Sequence, residues 1–154
     1  LSVDTETREE PSPAATLDVS LLDSSPAFRR LIELIHSERS VAAGSLWGSS
    51  QGFVLSALMR HAQGPWLIVI SNETEADLFL DDLETLGVDA TRFPARESSS
   101  GSGHGGALVD PDSVRARLQV AQLLAGPPDR RPRVLVASLL ALLQPLPAPG
   151  DLKN

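Results

Sequence analysis

A chain of 154 residues with 42% apolar content and no apolar run near the ~18 residues of a membrane span has the makings of one globular domain. It has no Cys, which excludes disulfides, Cys-based zinc sites and thiol chemistry. The net charge of -7 is concentrated at the start. There Asp4, Glu6, Glu9, Glu10, Asp18 and Asp23 face only Arg8, so the remainder is near neutral and has no basic stripe for independent nucleic-acid binding.

Residues 1–24 are polar and acidic, with Pro11 and Pro13, and are expected to form a flexible leader. Nothing in them resembles a secretory signal, and the composition leans towards the cytoplasm. Ser25-Pro26 then has the form of an N-cap and first helical residue, followed by Phe28, Leu31, Ile32 and Ile35 at helical spacing. Residues 40–46 are a short strand candidate made of small side chains. A Gly/Ser-rich turn follows, and then a helix carrying Phe53, Val54, Leu55, Ala57, Leu58 and Met59. His36 and His61 sit near helix ends, where surface roles are expected of them.

Strand, glycine-rich turn and helix N-terminus is the outline of a phosphate-binding loop, in which main-chain N–H groups wrap the phosphates. A working loop also supplies a Lys for phosphate charge and a Ser/Thr hydroxyl for Mg²⁺. With Gly48 on the internal glycine, Ser50 stands in place of the glycine before Lys. Gln51 then takes the Lys position and Gly52 the hydroxyl position. Ser45, Gly48, Ser49, Ser50, Gln51 and Gly52 therefore make a degenerate loop that lacks its cation and its metal-binding oxygen. No catalytic residue, no metal site and no turnover of ATP-Mg²⁺ are expected of it.

Further on, Gly64-Pro65 breaks the helix, and Trp66–Ile70 is a continuous apolar strand of the kind covered on both faces. Asn72 and Glu75 have capping-box spacing ahead of Ala76, Phe79, Leu80, Leu83 and Leu86. The acidic residues Glu73, Glu75, Asp77, Asp81, Asp82 and Glu84 fill the rest of that helix surface and are expected to be solvated. Gly87 caps it, 88–93 is a further strand, and 98–106 is a flexible Ser/Gly loop containing His104. Asp110-Pro111 opens a helix with Val114, Leu118, Ala121, Leu124 and Ala125 on one face. A last buried strand at 133–137 runs into Ser138, a helix cap, and Pro145, Pro147 and Pro149 end regular structure before a tail at 150–154. Alternating strands and helices, with apolar strands, predict an α/β fold: a mostly parallel, P-loop-NTPase-like sheet over 25–149 with helices on both faces.

Four pieces occur together in order: the degenerate loop; Trp66–Ile70; Phe93-Pro94-Ala95-Arg96-Glu97; and Arg117-Leu118 ahead of Val136-Ala137-Ser138-Leu139-Leu140-Ala141-Leu142-Leu143-Gln144. On these residues the chain resembles the N-terminal, UvrB-like domain of bacterial transcription-repair coupling factors, the Mfd family. The resemblance runs from about Ser25 to Pro149, with Phe93, Pro94, Glu97 and Arg117 as the motif positions. It implies a RecA-like lobe without ATPase activity, part of a longer protein whose DNA-translocase ATPase lies downstream. It further implies action in nucleotide excision repair, with recruitment of UvrA and autoinhibition. UvrA and RNA polymerase would be partners through the full-length protein, and DNA through other domains, with no membrane and a monomeric fragment. Arg96 stands where the family commonly has Trp, and no aromatic residue follows Phe93, so a base-stacking wedge is not supplied. Two other readings stay open: a nucleotide-binding ATPase lobe with an altered loop, and an unrelated α/β protein-interaction domain.

Overall fold

In the computed structural model, which describes residues 17–96, 98–99, 108–148 and 150, the elements follow the expected alternation. A 3-10 helix at Val19–Ser24 leads into α1 (Pro26–Ser37), α2 (Ser50–His61), β1 (Trp66–Ile70), α3 (Glu73–Thr85) and β2 (Thr91–Phe93). A strand pair follows, β3 (Ser98–Ser99) and β4 (Leu108–Val109), then α4 (Pro111–Ala125), β5 (Val134–Ser138) and α5 (Leu139–Leu143). The order β1-β5-β2 is parallel throughout, with Trp66 beside Val134, Ile68 beside Val136, and Phe93 beside Ala137.

Val134–Ser138 is buried at every position, which only a central strand with both faces covered can be. Its alternation sorts the helices between two layers. Val134 and Val136 pack with Ala76, Phe79 and Leu83 of α3, backed by Leu55 and Met59 of α2. Leu135 and Ala137 pack with Phe93, Ala95, Val120 of α4 and Ala141 of α5. A third cluster joins Phe28 of α1 to Ala57 and Leu58 of α2 and takes in Val19 and Leu22.

The caps follow the sequence. Ser25 accepts from Phe28 N–H at 3.5 Å and Asn72 from Glu75 N–H at 2.9 Å. Asp110 accepts from Ser113 N–H at 2.8 Å and Ser138 from Ala141 N–H at 3.0 Å. The capping box at Asn72 is half made, because the Glu75 carboxylate accepts from the Ser71 hydroxyl instead of returning to the cap. After α3, Gly87 takes φ 73°, with Val88 N–H on Leu83 O and Gly87 N–H on Glu84 O, the left-handed cap that glycine permits.

Four expectations are corrected. Residues 40–46 form no strand: the segment is irregular and mostly exposed, and Ser45 at φ 63° breaks any extended run. β1 is covered on one face only, since Leu67 is 55% and Val69 50% exposed where α4 and α5 lie over β5 and β2 instead. The leader stops short of residue 24, because Val19 and Leu22 pack on the α1–α2 cluster and Asp23 Oδ1 sits 2.8 Å from His61 Nε2. The segment 98–106 is not loop throughout, since Ser98–Ser99 pairs antiparallel with Leu108–Val109. Residues 1–16 and His104 lie outside the described residues. No helix among the described residues is long and apolar enough to cross a membrane.

Candidate functional site

In an open parallel sheet, ligand chemistry gathers outside the C-terminal ends of the strands. Here that crest carries two groups of the residues singled out by sequence. The first is the degenerate loop. A cavity of about 670 Å³ at the end of β1 is lined by Gly48, Ser49, Gln51, Ser71, Glu75 and Asp82, among others. Ser45, Gly48, Ser49, Ser50 and Gln51 are exposed, and only Gly52 is buried.

The polar side chains of the loop are taken up by the loop itself and by α3. Trp47 N–H donates to Ser50 Oγ at 2.9 Å, and the Ser50 hydroxyl donates back to Trp47 O at 2.7 Å. Ser50 N–H donates to Trp47 O at 3.2 Å and Gln51 N–H to Gly48 O at 3.0 Å. Gln51, which the sequence reading set at the Lys position, turns its Nε2 to Leu46 O at 3.1 Å. The Ser49 hydroxyl donates to Asp82 Oδ1 at 2.9 Å. A Cβ on Gly52 would come within 3.3 Å of Asp82 Cβ, which explains the small residue there. Asp82 thus stations a carboxylate beside the α2 N-terminus, the end that attracts anions.

Electrostatics at this cavity oppose a phosphate. Glu75, Asp81 and Asp82 line it and no Lys or Arg does. A helix N-terminus favours an anion by about 0.3–1 kcal/mol. Each lining carboxylate repels a phosphate instead, and no cation in the lining offsets them. Among the described residues, no three His, Asp or Glu side chains are grouped as metal ligands would be.

The second group is built on the C-terminal end of β2. Phe93, Pro94 and Arg117, far apart in sequence, meet here. The Arg117 guanidinium lies 4.4 Å from the Phe93 ring centroid and is 2% exposed. It donates to Pro94 O at 2.6 Å, Ala141 O at 3.1 Å and Gln144 O at 3.2 Å, joining β2, α4 and the C-terminal end of α5. The last carbonyls of a helix are its unpaired, partly negative end, so a cation suits them. Burial pushes the Arg117 pKa below its usual value, with Arg96 adding to the shift and Glu73 opposing it.

Two side chains that sequence reasoning had not placed complete the clamp. Gln144 pairs with the main chain of Arg96, accepting from its N–H at 2.6 Å and donating to its C=O at 3.2 Å. Glu73 accepts from Arg92 Nη2 at 2.8 Å and from Ala95 N–H at 3.2 Å, while Arg92 Nε lies 3.0 Å from Asp77. Besides Glu75, which accepts from Ser71, three members of the supposedly solvated acidic face, Glu73, Asp77 and Asp82, thus have intramolecular partners. No local spacing signals these partners, which lie 15 to 33 residues away in sequence. Glu97 lies outside the described residues.

Among the described residues, the β2 clamp holds no nucleophile–base pair, and the loop is a turn facing carboxylates. No family model, no curated protein and no solved structure matches this chain.

Proposed function

We propose that this chain is a catalytically silent, UvrB-like lobe of a transcription-repair coupling factor, a cytoplasmic scaffold in transcription-coupled DNA repair. One observation carries the silent part of the reading. Gln51, in the Lys position, is hydrogen-bonded to Leu46 O, and Asp82 stands beside the α2 N-terminus, where a phosphate would have to sit. The family part rests on sequence resemblance, supported by the convergence of Phe93, Pro94 and Arg117 in one buried clamp. In this reading UvrA recruitment and RNA polymerase displacement belong to the full-length protein, which carries the translocase ATPase, while this lobe contributes surface and autoinhibition.

Two measurements test it together. Calorimetric titration with ATP-Mg²⁺ is expected to show no saturable binding. Pull-downs with purified UvrA and RNA polymerase compare this chain with a version extended through the domain that the resemblance places after it, and the extended version is expected to capture UvrA. Mg²⁺-dependent ATP binding lost in Gln51→Ala, or no capture of either partner by the extended version, overturns the proposal.

A further inference from the structure

At the end of the sheet opposite the crest lies a cavity of about 440 Å³, a volume usual for small-molecule pockets. Thr91 and Val134, the first residues of β2 and β5, line it together with the apolar Val19, Met59, Leu86 and Val88. Its remaining polar lining is Ser56 and Arg60 of α2, Asp89 and Arg133.

Ser56 is the residue that packing does not explain. It sits in the middle of α2, is 4% exposed, and its Oγ is closed to solvent without a hydrogen-bond partner. A serine inside a helix can donate back to the carbonyl four residues earlier, here Gly52 O, and Ser56 makes no such bond. Alanine would occupy the same place without stranding a hydroxyl, which destabilises a fold when buried unpaired. The other two such atoms among the described residues, Glu73 Oε1 and Arg92 Nε, belong to side chains already paired with each other.

The charges around the cavity are equally unspent. Arg133 makes no ion pair among the described residues. Arg60 lies 3.7 Å from Asp23, whose other carboxylate oxygen is 2.8 Å from His61. With Asp89 counted against the two guanidiniums, the lining carries one net positive charge. The crest cavity, with Glu75, Asp81 and Asp82 and no cation, has the opposite sign.

We propose that this cavity binds a small organic monoanion, a carboxylate carried on an apolar body. The body packs on Met59, Val88 and Val134, and the carboxylate is held by Arg60 and Arg133, whose planar forks match it. Ser56 and Arg60 are four residues apart on one helix and therefore share a face, so a single anion can meet both. Turning about χ1, the Ser56 hydroxyl gains in the ligand the acceptor that the fold withholds. The inference rests on the cavity and on Ser56, and stands apart from the repair reading.

The probe is 4-phenylbutyrate, titrated into the whole ¹⁵N-labelled chain at constant ionic strength. Saturable shifts are expected at the Met59, Val88 and Val134 amides, half-complete below about 5 mM. Two controls divide the ligand: 4-phenylbutanamide keeps the body without the charge, acetate keeps the charge without the body, and each binds at least about 10-fold more weakly. Ser56→Ala weakens 4-phenylbutyrate about fivefold while its urea midpoint stays level or rises, and Arg133→Gln weakens it about tenfold with the far-UV spectrum unchanged. Failure to saturate, shifts centred on other residues, or an amide that binds as tightly as the acid overturns the proposal. So does Ser56→Ala binding like the parent, which leaves the hydroxyl a water-binding group only, or unfolding at lower urea, which assigns the hydroxyl to the fold.

Discussion

Replacing Arg117 with Met retains much of the apolar stem and removes the guanidinium. Its three acceptors are main-chain carbonyls, of which only the Ala141 contact is buried; those to Pro94 and Gln144 are part-buried, so water takes over some of their bonding. A hydrogen bond to a charged group contributes about 1.5–3 kcal/mol, and a desolvated cation–π contact about 2 kcal/mol. Against these stands the cost of burying the cation, which the depressed pKa reports. The net loss is about 3 kcal/mol. With a urea m-value of about 2 kcal/mol/M, the unfolding midpoint falls by about 1.5 M. Arg117→Lys keeps the charge, but a single ammonium does not span three carbonyls as a planar fork does, so about half the loss is expected. Urea unfolding followed by Trp fluorescence and far-UV circular dichroism reads both variants. A Met variant within about 0.5 kcal/mol of the parent, or a Lys variant weaker than Met, refutes the clamp as a source of stability.

Ser138→Ala removes a fully buried cap hydroxyl from the Ala141 N–H and is expected to cost about 1–2 kcal/mol in the same assay, where an unchanged midpoint contradicts the cap. At Gly87, φ is 73° and a Cβ would meet nothing within 4 Å, so Gly87→Ala tests backbone strain alone. Its expected cost is about 1 kcal/mol, with Gly87→Asn losing less, and the opposite ranking would contradict the left-handed cap. Hydrogen bonds from Ser20 hold the Asp18 carboxyl below its usual 3.8. A carboxylate depressed by folding contributes stability that is fully present above that value and is lost as pH falls through the lower folded one. Acid titration by NMR should therefore perturb Val19–Ser24 below about pH 3.8, and in Asp18→Asn that step should vanish. A step that persists in the variant assigns it to another group.

Helix limits were legible because caps are local: Ser25, Asn72, Asp110 and Ser138 each satisfy an N–H three residues on, within reach of sequence inspection. The buried strand at Val134–Ser138 was legible because an unbroken apolar run has no solvent face to offer. The same logic failed for β1, whose composition is equally apolar, because coverage depends on where α4 and α5 come to lie. It failed too for 40–46, where small residues permit a strand but pack too little to enforce one, and Ser45 settles into a left-handed bend.

By itself, then, the sequence determined the alternation of elements, their caps, the absence of thiol chemistry, and a Gly/Ser-rich turn that carries Gln51 and Gly52 and no Lys. Only the tertiary structure decided that Gln51 would bond to Leu46, that Asp82 would stand by the α2 N-terminus, and that Arg117 would be buried against Phe93 and three carbonyls. The reason is range. Caps and periodicity act over three or four residues, whereas the partners of Asp82 and Arg117 are supplied by segments 23 to 33 residues away that meet only once the sheet has formed; the Gln51 bond spans five residues, across the positive φ of Gly48.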